Sequence, residues 1–133
     1  MPENVGTILI VEDEKMVADS LAQILCSKGY DARVVYSAEA ALQLVTQWFP
    51  DLAILDVMLP KMNGIDLAVL LKERFKSCHI LLFSGQPTVE SLMKKAKSEG
   101  HEFEIMAKPV HPTVMLEAIS KRLSENGAQR CQA

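Results

Sequence analysis

Thr7-Ile8-Leu9-Ile10-Val11-Glu12-Asp13-Glu14 is the stretch that decides the architecture. Apolar and β-branched residues run without a break and then stop at three consecutive acids. Strict alternation would mark a strand with one wet face. An unbroken run marks a strand covered on both faces, as in parallel sheets whose crossover helices pack above and below. After Glu14 the period changes. Val17, Leu21, Ile24 and Leu25 share one helical face, and Ser27-Lys28-Gly29 closes the helix with a basic residue and a glycine.

The same alternation repeats outward from this unit. Ala32–Val35 is a strand candidate, and Ser37 is a candidate N-cap with Glu39 in the first turn. Position 40 is Ala, so the capping box is incomplete. Ala41, Leu42, Val45 and Phe49 form a helical stripe that Pro50-Asp51 stops. Leu52–Leu55 is the next buried strand and ends at Asp56. Leu59–Gly64 reads as a loop, followed by a helix from Ile65 to Phe75 with Leu67, Leu70, Leu71 and Phe75 inward. Ile80–Phe83 is a strand ending at Ser84, and Thr88 caps a helix that buries Val89, Leu92, Met93 and Ala96. Phe103–Ala107 is a less apolar strand ending at Lys108-Pro109. Pro112 or Thr113 opens the last helix, with Leu116, Ile119 and Leu123 inward. Five strands alternating with helices predict a parallel α/β fold with helices on both faces of the sheet.

The chain has 133 residues, 49% of them hydrophobic, with 14 basic against 17 acidic side chains and a net charge of −3. That is enough apolar material for one packed domain. Residues 1–124 are read as that domain and residues 125–133 as a polar C-terminal tail that can open a linker. The charge balance gives no reason to expect direct contact with nucleic acid. Cys26, Cys78 and Cys131 have neither metal-ligand spacing nor a disulfide pattern, so a reducing, cytoplasmic setting is expected. The first residues lack the basic and apolar segments of a cleaved leader, and the longest apolar runs fall far short of the ~20 residues that span a bilayer. No membrane role is expected.

The polar residues carry the functional signal through their positions. Strand one ends at Glu12-Asp13, strand three at Asp56, strand four at Ser84 and strand five at Lys108. Each alone is ordinary surface polarity. Together they crowd the carboxyl edge of the sheet, where open α/β folds place their sites. Three acids repel one another, and a hard divalent cation with oxygen ligands, such as Mg²⁺, relieves that repulsion. The cation would admit a phosphoryl group, with Asp56 as nucleophile and Lys108 and Ser84 holding the new oxygens.

The motifs Ile-Leu-Ile-Val-Glu12-Asp13-Glu14, Leu-Asp56-Val-Met-Leu-Pro60-Lys-Met-Asn-Gly64, Phe83-Ser84-Gly85 and Lys108-Pro109 resemble the CheY-like receiver domain of bacterial two-component response regulators. The resemblance spans about Thr7 to Leu123. It implies a doubly wound five-stranded parallel sheet, flavodoxin-like, in the order 2-1-3-4-5. It implies Asp56 as phosphoacceptor, Glu12 and Asp13 as metal-binding acids, and the backbone carbonyl of Met58 as a further Mg²⁺ ligand. Ser84 becomes the switch hydroxyl and Lys108 the phosphate-contacting lysine, followed by a cis bond to Pro109. The implied donor is a sensor histidine kinase or a histidine phosphotransfer protein. The implied reader is a downstream protein or output domain on the face made by the fourth helix, the fifth strand and the fifth helix. Lys94, Lys95 and Lys97 lie on that fourth helix, where a solvated face is the simpler reading.

One position departs from the family. Ile105 stands where receivers carry a switch aromatic three residues before the lysine, and Phe103 is two positions away on the same strand face. Met58 and Gln86 occupy the positions at which receivers tune phosphate lifetime. The expectation is thus a phosphorelay switch and not an enzyme acting on metabolites. The alternative is a receiver-shaped module that binds its partner without phosphorylation. A haloacid-dehalogenase phosphatase would need a second Asp where Met58 stands. A flavodoxin would need a phosphate-cradling loop where Glu12-Asp13-Glu14 stands.

Overall fold

The computed structural model describes residues 6–59, 61–84, 104–107 and 111–132. Five parallel strands form one sheet: β1 (Thr7–Val11), β2 (Asp31–Val35), β3 (Leu52–Asp56), β4 (His79–Ser84) and β5 (Glu104–Ala107). Their order is β2-β1-β3-β4-β5, as expected. The described helices are α1 (Lys15–Ser27), α2 (Ala38–Leu44), α3 (Gly64–Arg74) and a C-terminal helix over Pro112–Gln132. The expected helix from Thr88, the lysines on it, Phe103, Gln86 and the Lys108-Pro109 bond lie outside the described residues. Among the described residues no helix is long and apolar enough to cross a membrane.

Why β1 reads as an unbroken apolar run is visible in the packing. Leu9 and Val11 join a cluster with Ala53, Leu55, Ile80 and Leu82 under α2 and α3. Ile8 and Ile10 join Leu52, Ile54, Leu81 and Phe83 under α1 and the C-terminal helix. Successive side chains alternate between two dry faces, so both must be apolar. Leu81 and Leu82, adjacent in sequence and both fully buried, belong to opposite clusters.

Several helix faces differ from expectation. Ala18 and Leu25 are the buried residues of α1, with Leu21 and Ala22 packed beside them, and Val17 is exposed. The side chains of Ala18 and Leu25 thus face the sheet in place of Val17. The helix ends as its sequence suggests: Gly29 takes φ +95° and the Tyr30 N–H reaches the Leu25 carbonyl at 3.2 Å. In α2 the helical stripe does not continue to Phe49. The helix stops at Leu44, turns follow through Trp48, and Phe49 is exposed with its ring 5.1 Å from that of Phe75. The C-terminal helix starts at Pro112, buries Met115, Ile119 and Leu123, and leaves Leu116 half-buried. It runs on to Gln132 through the segment expected to be a polar tail. That segment has one glycine, no proline and mostly helix-compatible residues.

The amino edge of the sheet is closed by reciprocal bonds. The Thr7 N–H donates to Asp51 Oδ2 at 3.1 Å, and the Asp51 N–H donates to Thr7 Oγ1 at 2.9 Å. The Lys72 ammonium donates to the Cys78 carbonyl at 2.7 Å. Trp48 packs at this edge beneath the Arg33 guanidinium, 4.7 Å from its ring centre.

Candidate functional site

β1 and β3 are neighbours in register, with Val11 beside Leu55. The next residues, Glu12 and Asp56, therefore emerge side by side at the carboxyl edge. Both are buried, at 3% and 7% exposure, and Asp13 is exposed. The Glu12 N–H donates to the Val35 carbonyl at 3.2 Å, which ties the end of β1 to the end of β2. On the other side Asp56 pairs with Phe83, so Ser84 follows one step further along the same edge and is also buried. Ser84 pairs with Ala107, the residue before Lys108. The structure thus brings Glu12, Asp13, Asp56 and Ser84 to one edge, and Lys108 falls outside the described residues.

Glu12, Asp13 and Asp56 each offer a carboxylate oxygen, and these oxygens lie within 4.8 Å of one another. The donor set fits a hard cation. Around Mg²⁺, with bonds of 2.0–2.1 Å, opposite ligands stand roughly 4.2 Å apart, so only a small closure is needed. Buried acids without a cation would otherwise repel at close range. Met58 follows on a half-exposed turn, and its N–H donates to Asp56 Oδ1 at 3.1 Å. That bond fixes the rotamer of the Asp56 carboxylate against its own loop.

The loop from Asp56 to α3 is pinned at its far end. The Gly64 N–H donates to the Val57 carbonyl at 2.8 Å. Gly64 lies so near the end of β3 that a side chain there would collide with the backbone. Lys61 takes a left-handed φ of +69°, and its ammonium is 3.5 Å from the Glu39 carboxylate, an exposed pair of small energetic weight. Asn63 caps α3, accepting the Asp66 N–H at 2.8 Å and donating to Asp66 Oδ2 at 3.0 Å. The sequence reading placed Asn63 and Gly64 in an undifferentiated loop. The Asn-Gly-x-Asp spacing before an apolar helix was the available signal. His111, which has no metal-ligand spacing, is exposed, and its Nδ1 accepts the Thr113 N–H at 3.1 Å at the start of the C-terminal helix.

Ser37 does cap α2, accepting the Ala40 N–H at 3.1 Å. Ile105 is half-buried beside Leu82 and packs against the cluster under α2 and α3.

Comparison with known proteins agrees with the motifs and the topology. The chain is 33% identical over 119 residues to the DNA-binding response regulator MtrA of Mycolicibacterium paratuberculosis, covering 90% of this chain and 52% of that protein. It is 29% identical over 121 residues to the DNA-binding transcriptional regulator NtrC of Azospirillum brasilense, covering 91% of this chain and 25% of the relative. The chain spans about half the length of the MtrA relatives it matches. Among solved structures it superposes on a CheY-like response regulator receiver domain protein from Methanospirillum hungatei with a TM-score of 0.84. That pair is 27% identical and the match covers 93% of this chain and 98% of the other. A receiver domain of an HD domain-containing protein from Pseudomonas fluorescens also gives 0.84, at 26% identity, covering 100% of this chain and 96% of that one. The family profile described as response regulator receiver domain matches residues 8–120, and with the strand order and the carboxyl-edge acids it establishes that the chain belongs to the response regulator receiver domains of two-component systems.

Proposed function

We propose that this domain accepts a phosphoryl group on Asp56 and passes the change to a partner. The observation that carries the reading is the convergence of the Glu12, Asp13 and Asp56 carboxylates at the carboxyl edge of the sheet. Glu12, Asp13, Asp56 and the backbone carbonyl of Met58 would hold Mg²⁺. When bound, the ion supplies positive charge that offsets the acids and the incoming phosphoryl oxygens. An Asp56 oxygen attacks the phosphorus of a phosphohistidine. The new P–O bond forms as the P–N bond breaks, and the imidazole of a histidine kinase or phosphotransfer protein leaves. Ser84 donates its hydroxyl to a phosphoryl oxygen, and Lys108 contributes a compact charge beside it. Water later hydrolyses the acyl phosphate, so the domain is a switch acting on itself and not an enzyme for metabolites.

The read-out face would be the fourth helix, β5 and the C-terminal helix, offered to a downstream protein or an output domain in a cytoplasmic pathway. The net charge of −3 supports no direct nucleic-acid contact by this domain. Residues 1–124 would form the switch, with 125–133 as a polar C-terminal tail that can open a linker. The half-buried Ile105 favours a second reading, a receiver-shaped module that binds its partner without phosphorylation, because isoleucine has no ring to rotate.

The test is intact mass after incubation with Mg²⁺ and acetyl phosphate, for wild type and Asp56→Asn. One added phosphate in wild type alone supports the acceptor. Equal uptake by the Asn variant moves the acceptor elsewhere. No uptake in wild type, from acetyl phosphate or from a kinase, leaves the constitutive module.

A further inference from the structure

The helix that follows the acids starts without the usual aids. Glu14, the N-cap of α1, makes no side-chain capping bond, and the first turn holds no acid. Its first residue is Lys15, a cation at the positive end of the helix dipole. The first intrahelical bond is the Ala18 N–H to the Glu14 carbonyl at 3.0 Å. Asp13, the exposed member of the carboxylate trio, sits directly before this weak start.

Tyr36, the first residue after β2, meets α1 twice. Its hydroxyl donates to Asp19 Oδ1 at 2.8 Å, and the Lys15 ammonium lies 5.3 Å from the ring centre. Lys15 and Asp19 are four residues apart and so share a helix face. The backbone just before Tyr36 is anchored in turn, because the Val35 carbonyl accepts the Glu12 N–H. The ends of β1 and β2 and the first two turns of α1 are thereby joined on either side of the segment that carries Asp13.

We propose that Tyr36 is a positioning residue for the carboxylate trio: by clipping the first two turns of α1 it holds Asp13 where it shares a divalent cation with Glu12 and Asp56. This rests on the trio being a cation site. The clip acts in two ways. It supplies tertiary support where capping is missing, and it keeps the Lys15 ammonium on an aromatic face. Released, that ammonium would compete with a cation for carboxylates two and three residues away. The hydrogen bond to Asp19 also raises the phenol's pKa above the ordinary tyrosine value.

The test is calorimetric titration of the full chain with MgCl₂, alongside melting curves without Mg²⁺. The proteins are wild type, Tyr36→Leu, Tyr36→Phe, Asp19→Asn and the site control Asp13→Asn. Loss of Tyr36 in the Leu variant is expected to weaken Mg²⁺ binding about fivefold, which is what one lost hydrogen bond of ~1 kcal/mol converts to. Tyr36→Phe keeps the ring under Lys15 and is expected to recover most of the affinity. A Leu variant that binds Mg²⁺ as wild type does, while Asp13→Asn does not, overturns the role of Tyr36 and leaves the cation site standing. A wild type that binds no Mg²⁺ overturns both. Should the Leu variant fail to fold, Asp19→Asn and Tyr36→Phe carry the test, each expected about twofold weaker, the low end of what one lost hydrogen bond is worth, and unchanged affinity in both overturns the proposal.

Discussion

A Cβ on Gly64 would lie 2.2 Å from the carbonyl oxygen of Asp56. The start of α3 and the end of β3 are thus in direct backbone contact. Gly64→Ala is expected to destabilise the domain by about 3 kcal/mol, the upper part of the usual overpacking range, because backbone cannot rotate aside. It should also displace Asp56 and slow phosphoryl uptake. Urea unfolding reads the first effect and intact mass the second. An alanine variant as stable as wild type would show that the turn relaxes freely.

The carboxylate trio should cost stability when no cation is present. Removing one buried charge with Asp56→Asn is expected to raise stability without Mg²⁺ by on the order of 1 kcal/mol, the Coulomb repulsion at this spacing in a water-like dielectric. In wild type, Mg²⁺ at a hundred times its dissociation constant should add about 2.7 kcal/mol by mass action. The Asn variant should gain much less. Melting curves with and without Mg²⁺ cross over if this holds, and parallel curves would argue that the acids do not share a site.

Cys78 should be inert until the chain unfolds. Burial pushes its thiol up to about 12, with Asp51 adding to the rise and Lys72 opposing it. At pH 8 the thiolate fraction is then on the order of 10⁻⁴, whereas Cys26 is exposed. Iodoacetamide mapping should find Cys26 modified in the folded protein and Cys78 only in urea. The linkage has a definite sign. The folded pKa lies above the unfolded one, so Cys78 adds no pH dependence below about pH 9. Stability should fall as pH rises from there toward 12, and Cys78→Ala should flatten that slope.

Two helix caps should separate stability from chemistry. Ser37→Ala and Asn63→Ala each remove a side-chain acceptor from a helix start, and each should cost about 1 kcal/mol in urea unfolding. Only Asn63 belongs to the turn that begins at Asp56. Phosphoryl uptake should therefore slow in Asn63→Ala and stay unchanged in Ser37→Ala. Equal effects of the two on uptake would mean that general loosening, and not the turn, governs the site.

The strands were legible because parallel strands with two dry faces leave no ambiguity of period. Thr7–Val11 was bounded as the structure has it, and the other strands differ by a residue or so at their ends. The helix faces were less legible. Val17 and Phe49 are apolar, yet the burial of Ala18 on the sheet-facing side of α1 and the early end of α2 leave both exposed. Those depend on distances between elements, which no local pattern encodes. The acids of the site were legible as strand ends. Tyr36 was not, because its partners Lys15 and Asp19 lie about twenty residues earlier and meet it only once β2 is beside β1.

The reciprocal bonds of Thr7 and Asp51 close one edge of the sheet with neutral backbone groups and a short acid, and the opposite edge gathers three carboxylates. On the proposed reading, durability and responsiveness are therefore lodged at opposite poles of a strand only five residues long. Drift in sequence at the Asp51 pole can reset how long the domain survives and leave its charge chemistry untouched. The Asp56 pole has no such latitude: a change there that makes the domain hardier without Mg²⁺ also takes away what it responds to.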